Sequence, residues 1–171
     1  MAKFILVSSL FGLISLQGVL ATPKVYPEVI PGPGLPSLAE LNTTTAELYE
    51  MGLPEELDAR AEVLDKRFEG LCGPAEAAYT RVEDIISCYN YLRKLGSQKC
   101  VAKENTIFCT AGSAHIYGSA LNGQTTSRCD DVAKAVLWTV DHCTRKDKSC
   151  AGAQAVWNNG NMVATSVNKK W

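Results

Sequence analysis

Residues 68–171 are predicted to form an α+β domain, a disulfide-stapled sandwich of two helices on one face of a four- to five-stranded antiparallel sheet. Three observations predict this fold. All seven cysteines lie after residue 67, two stretches carry apolar residues at helical spacing, and the stretches between them are short and extended with turn residues at their ends. The expected order of elements is α-β-β-β-α-β, which places both helices on the same side of the sheet.

The first helix is predicted over residues 75–95, between Gly73-Pro74 and Gly96, the residue types that commonly begin and end helices. Its apolar residues recur at steps of three and four, which is typical of a helix with one buried face. These residues are Val82, Ile85, Ile86, Tyr89 and Leu92, and the charged residues Arg81, Glu83, Asp84, Arg93 and Lys94 are expected on the opposite face.

Three strands are predicted next, over residues 99–102, 106–110 and 114–120, and the last is closed by the turn signal Asn122-Gly123. A second helix begins after Ser127 and runs to about His142, with Cys129 and Cys143 on its inner face. A turn rich in asparagine follows Trp157, and residues 162–167 form the last strand.

The N-terminus is expected to be a signal peptide over residues 1–21. Lys3 precedes an apolar run that is interrupted by serines and is too short to span a bilayer, and the run ends at Val19-Leu20-Ala21. A signal peptide implies that the protein is secreted and extracellular, with the host apoplast as one destination.

Residues 22–67 are expected to be an acidic pro-segment. They hold nine acidic and four basic residues and no cysteine, and the Pro/Gly-rich stretch 27–36 is not expected to form regular structure. The segment ends at Lys66-Arg67, a dibasic pair that a kexin-type processing protease would cleave. The pro-segment then serves either as a mask or intramolecular chaperone or simply as a spacer.

The remaining 104 residues carry twelve Lys and Arg against nine Asp and Glu, a net charge of +3. This charge is too small to indicate a nucleic-acid partner. In an oxidising secretory compartment the cysteines are expected to form disulfides, and their spacing does not match a metal site. The sequence contains no cofactor-binding motif and no catalytic constellation, since His115 and His142 have no suitably placed partners. We therefore expect no enzyme, metal or cofactor.

The cysteine and glycine pattern resembles a family of secreted fungal proteins. The run FCTAGSAHI at residues 108–116, then Ser127-x-Cys129-x-x-Val132, Cys143 and Gly160-Asn161-Met162-Val163, is similar to the virus-encoded killer toxin of smut fungi and its fungal relatives, and to necrosis-inducing effectors of leaf-mould type. The similarity covers residues 88–167 and implies the same α/β sandwich.

This resemblance implies the disulfides Cys100–Cys109, Cys88–Cys129 and Cys72–Cys143, with Cys150 unpaired. Because the loop between Cys143 and Cys150 is short, either of them is able to approach Cys72. Killer toxins of this family block calcium channels through a lysine two positions before a hairpin cysteine. That position is Ile107 here, and the nearest base is Lys103.

The expected function is that of a non-enzymatic fungal effector or toxin-like protein acting on host plant cells. Two alternatives remain: an antifungal killer-type toxin aimed at a membrane target of competitors, and a small secreted hydrolase or hydrolase inhibitor. The partner would be a host or competitor protein, a membrane protein among them. Trp157 and Lys103 are the candidate contact residues, and Trp157 is expected to be exposed.

Overall fold

A computed structural model describes residues 24–54 and 68–171, so the predicted signal peptide and the Lys66-Arg67 pair lie outside the described residues. The strands are β1 (Val29–Pro31), β2 (Leu71–Cys72), β3 (Thr80–Arg81), β4 (Lys99–Ala102), β5 (Thr106–Ala111), β6 (Ala114–Ala120), β7 (Thr125–Arg128), β8 (Ser149–Cys150), β9 (Gly152–Val156) and β10 (Asn159–Asn168). The helices are α1 (Thr45–Glu50), α2 (Val82–Leu95) and α3 (Cys129–Cys143), and Glu76–Ala78 forms one turn of 3₁₀ helix.

The fold is α+β, as predicted. Within the described residues, six antiparallel strands form the main sheet in the order β1-β5-β6-β10-β9-β2, and α2 and α3 pack side by side on one face of it. Two short pairs, β3–β8 and β4–β7, flank this sheet. The sheet has more strands than expected because residues 24–54 contribute one edge strand and the start of the cysteine-rich domain (residues 68–171) contributes the other.

Helix α2 is shorter than predicted and is buried on more than one side. The backbone at Thr80 and Arg81 is extended and pairs with β8, so the helix begins at Val82 instead of near residue 75. Asp84, expected on the solvent face, is only 1% exposed. This expectation was wrong because the side chain of Asp84 points to the turn between β5 and β6, where Ser113 donates to its carboxylate, and Tyr49 of α1 also donates to it.

A β-bulge in β5 turns one of the cysteines toward the helices. The pairing of β5 with β6 slips between Ile107 and Cys109, which leaves Phe108 and Cys109 both buried. A bulge inserts one extra residue and so places two consecutive side chains on the same face. Cys109 therefore faces α2, where it bonds to Cys88.

The disulfides are Cys72–Cys143, Cys88–Cys109 and Cys100–Cys129, and Cys150 is free and buried. The Cys72–Cys143 pair and the unpaired Cys150 agree with the prediction, whereas the predicted pairs Cys100–Cys109 and Cys88–Cys129 are wrong. The predicted Cys100–Cys109 bridge does not form because β4 pairs with β7 and not with β5. This pairing places Cys100 opposite Ser127 and beside Cys129.

The predicted Cys88–Cys129 bridge between the two helices does not form because the two cysteines lie too far apart along the axis of α2. The first residues of α3 dock at the far end of α2, where the amides of Cys129 and Asp130 donate to the carbonyls of Gln98 and Gly96. Cys88 lies about 12 Å further back along the helix axis, at 1.5 Å per residue. Cys129 therefore bonds to β4 and Cys88 bonds to β5.

Candidate functional site

The N-terminal arm (residues 24–54) lies against the cysteine-rich domain and covers the edge of β5 and the outer side of α2. This arm is the described part of the predicted pro-segment. It contains no cysteine, so no disulfide links it to the domain that it covers. The surface beneath the arm is the candidate functional site.

Strand β1 completes the main sheet by pairing antiparallel with β5, with Val29, Ile30 and Pro31 opposite Ala111, Thr110 and Cys109. The amide of Gly32 donates to the carbonyl of Phe108 at 2.8 Å. Because hydrogen-bonded pairs alternate along an antiparallel ladder, Pro31 occupies a position where no amide hydrogen is needed. The expectation that residues 27–36 form no regular structure is therefore wrong over Val29–Pro31.

Gly32 lets the arm lie close to the sheet. A Cβ atom at this position would lie 2.0 Å from the carbonyl oxygen of Ile107, a distance that no side chain permits. Gly34, two residues later, has a positive φ of 79° and nothing within 4 Å of the position of its Cβ. The first glycine is thus required by contact with the domain, and the second by the turn itself.

Helix α1 lies within the apolar part of the arm. Thr44 caps it, and Glu47 completes a capping box by accepting from the Thr44 amide at 2.9 Å. Leu48 points into the core and is fully buried. The leucines Leu35, Leu38, Leu41 and Leu53 pack against the same core, so the arm removes a continuous apolar surface from water.

Two side chains of α2 bind main-chain atoms of the arm. The Nδ2 of Asn90 donates to the carbonyls of Leu48 and Gly52, both at 2.9 Å, and so provides a hydrogen-bond donor for carbonyl groups at the C-terminal end of α1. The hydroxyl of Tyr91 donates to the carbonyl of Pro36 at 2.7 Å. Burial raises the pKa of this hydroxyl above its ordinary value, so it stays a donor. These contacts recognise a backbone and not a particular side chain.

Asp84 joins the arm to the domain. Its carboxylate accepts from the hydroxyl of Tyr49 at 2.9 Å, and from the amide and hydroxyl of Ser113 at 2.9 and 3.0 Å. Gly112 turns the chain at Ser113, and a Cβ on that glycine would lie 2.4 Å from the carboxylate. Burial raises the pKa of Tyr49, so its hydroxyl keeps the proton that it donates.

The two sequence-predicted contact residues lie elsewhere. Lys103 is exposed in the turn between β4 and β5, and its carbonyl accepts from the amide of Ala120. Trp157, at the turn between β9 and β10, is partly buried, with the Lys134 ammonium 5.9 Å from its ring centre. Trp157 is therefore only partly exposed, and its role as a contact residue stays a prediction.

The two histidines occupy different environments. His115 is partly buried on β6, and burial together with the charge of Lys169 lowers its pKa. His142 is exposed, stacks on Trp138 with ring centres 4.3 Å apart, and places Nδ1 2.9 Å from the Trp138 carbonyl. Within residues 24–54 and 68–171, no three His, Cys, Asp or Glu side chains form a metal-binding group, and no helix is long and apolar enough to cross a bilayer.

The sequence of this chain matches a family described as a domain of unknown function, DUF8794, over residues 68–167. The chain belongs to this family. No curated protein and no solved structure matches it. The matched DUF8794 range begins at Phe68, directly after Lys66-Arg67, and leaves the whole N-terminal arm outside.

Sequence reasoning missed the residues that hold the arm, among them Tyr49, Asp84 and Asn90. One signal was available: Asp84, Cys88 and Tyr91 are spaced by four and three residues and therefore share a face of α2. A carboxylate on the same face as a cysteine and a tyrosine indicates a face that is covered and not solvated. The partner that covers it, on a proline-rich segment far earlier in the chain, gave no comparable signal.

Proposed function

We propose that this chain is the precursor of a secreted fungal effector or toxin-like protein that acts on host plant cells by binding and not by catalysis. In this proposal a kexin-type protease cuts after Arg67, and residues 68–171 are the acting part. The observation that carries the proposal is that the arm lies outside the DUF8794 domain and has no disulfide to it. A single cut in residues 55–67 would leave it attached only by non-covalent contacts.

Three further features support this proposal. The three disulfides fit an oxidising compartment, where such bonds persist. The acidic pro-segment and the basic domain have opposite net charge, as expected for a segment that covers the domain before release. The similarity of residues 88–167 to secreted toxins and effectors of fungi points to a target outside the producing cell.

The experiment is to express the complete chain in a secreting fungal host, beside a variant with Lys66→Ala and Arg67→Ala. Intact-mass analysis of the medium should find a chain beginning at Phe68 for the wild type and the longer form for the variant. A wild-type product that still carries residues 24–54 in the same covalent chain contradicts the processing step.

Infiltration of the purified wild type into leaves, in parallel with growth assays on fungal lawns, separates the proposed function from a killer-type toxin. A response only in leaves supports the effector, and growth inhibition only on lawns supports the toxin. A variant with His115→Ala and His142→Ala should keep its activity if its circular dichroism is unchanged. Loss of activity in this folded variant favours the hydrolase.

A further inference from the structure

The surface beneath the N-terminal arm has the features of a binding site for a polypeptide. With the arm removed, β5 would be the edge strand of the main sheet, with main-chain donors and acceptors that pair readily with another extended chain. The arm occupies this edge through β1, and Gly32 brings its backbone into close contact with Ile107.

The polar side chains of this surface select a backbone of defined shape. Asn90 donates to two carbonyls at the end of a helix, and Tyr91 donates to a carbonyl in the turn that precedes it. The surface therefore fits a strand, a tight turn and a short helix in that order. Any polypeptide that adopts this shape provides the same carbonyl oxygens.

Two side-chain positions add chemical selectivity. Leu48 fills a fully buried position between α1 and the core, so an occupant needs an aliphatic side chain there. Asp84 needs a hydroxyl or another donor in place of Tyr49, because Ser113 satisfies only one of its two carboxylate oxygens.

We propose that this surface, formed by the β5 edge with Asp84, Asn90 and Tyr91, is the recognition surface of the DUF8794 domain for a strand–turn–helix segment of a target protein. The N-terminal arm is its resident occupant and must be displaced before the target binds. This inference rests on the proposed function, since it names the partner class of the released domain.

Cutting the chain within residues 55–67 weakens the binding of the arm to the domain but does not by itself release the arm. While residues 55–67 are intact, the arm binds as part of the same molecule, so its occupancy does not depend on the total protein concentration. After the cut, the same contacts act between two molecules, and occupancy depends on total concentration. A competing segment with the same chemistry then exchanges with the arm.

The test uses the complete folded chain, with a recognition site for a sequence-specific protease inserted in residues 55–65 so that it does not depend on cleavage after Arg67. After cutting, native mass spectrometry should find the arm bound at micromolar concentration and lost on dilution. A fluorescently labelled synthetic peptide of residues 24–54 should then exchange into the cut protein and raise its fluorescence anisotropy.

Two matched glycine variants of that peptide test the geometry. Gly32→Ala should bind at least roughly tenfold more weakly than the wild-type peptide, since the new methyl group meets the Ile107 carbonyl. Gly34→Ala meets no neighbouring atom and should lose less affinity, although its φ is positive. Equal binding by both variants and the wild type overturns the proposed contact at β5.

Leu48→Asp and Ala46→Asp, in the same peptide, form a second pair. Leu48 is buried against the core and Ala46 is exposed on the same helix, so only the first substitution should abolish exchange. If the arm never exchanges even in excess peptide, or if the domain unfolds when the arm leaves, the arm is an integral part of the fold and the proposal is wrong. If the peptide exchanges but the protein gives no leaf response, the result supports the proposed recognition surface and contradicts the proposed function.

Discussion

Tyr49 and Asp84 connect the two parts of this chain: the phenol hydroxyl of the first donates to the carboxylate of the second at 2.9 Å. Tyr49 belongs to the N-terminal arm and Asp84 to the helix at the centre of the cysteine-rich domain. Asp84 is 1% exposed, and Tyr49 of the arm and Ser113 of the domain both donate to its carboxylate. Removing the arm would therefore change the environment of a charged group as well as uncover apolar surface.

Replacing Tyr49 by Phe should lower the free energy of unfolding of the uncut chain by about 1 to 3 kcal/mol, because a buried carboxylate loses one charge-assisted hydrogen bond. Chemical denaturation followed by fluorescence measures this change. Tyr26→Phe is the matched control, since the Tyr26 hydroxyl lies 3.4 Å from exposed Glu50 and its ring stacks on Tyr49. Equal effects of the two substitutions would show that the bond to Asp84 contributes little.

Peptide mapping without reduction should recover Cys88 linked to Cys109 and Cys100 linked to Cys129. Trypsin cleaves after Lys99 and Lys103, so a peptide carrying Cys100 separates from the one carrying Cys109. A peptide that joins Cys100 to Cys109 would instead support a hairpin clip and contradict the pairing of β4 with β7.

The thiol of Cys150 should resist alkylation at pH 8 in the native chain. Burial raises its pKa to about 11, so at this pH only a very small fraction is thiolate, the reactive form. Mass spectrometry after iodoacetamide treatment should find one added group only when denaturant is present. Rapid labelling of the native chain at pH 8 would mean that the thiol is accessible and ionised.

His115 should make the domain less stable in mild acid. Burial lowers its pKa in the folded state, so the unfolded state binds the proton more tightly. The stabilisation that neutral His115 gives to the folded state is complete above the ordinary pKa of 6.5. It is lost as the pH falls from there through the lowered pKa of the folded state. His115→Gln should flatten the pH dependence of the unfolding free energy in this range.

His142→Gln is the control for this measurement, because His142 is exposed on α3 and stacks on Trp138. The two variants are compared with the wild type at pH 7.5 and at successively lower pH. If His115→Gln leaves the pH dependence unchanged, the ring of His115 is hydrated in the folded protein.

Local sequence signals predicted the elements whose boundaries are set by nearby residues. The predicted strands 99–102 and 114–120 coincide with β4 and β6, and the turn after Trp157 separates β9 from β10. Signals of spacing and turn chemistry lie within a few residues of these elements. They do not specify which strands pair, and β4 pairs with β7 instead of β5.

The candidate site was less predictable than the fold because each of its contacts joins residues far apart in sequence. The bulge that turns Cys109 toward α2 has no signature in residues 106–111, and the β1 strand contains Pro31. A proline argues against a strand except at a sheet edge, and the edge is defined only once the whole sheet is known. Two of the predicted disulfide pairs were wrong for a similar reason, because the bonds that form instead depend on which elements of the fold lie side by side.

The position of β1 at the start of the chain also orders events during synthesis. The arm is synthesised before β5 and α2, the elements that it binds. Until Ala111 has been synthesised, Leu48 has no core to enter and β1 has no neighbouring strand. Docking of the arm is therefore a late step in the folding of the chain, because it requires β5 and α2 to be in place already.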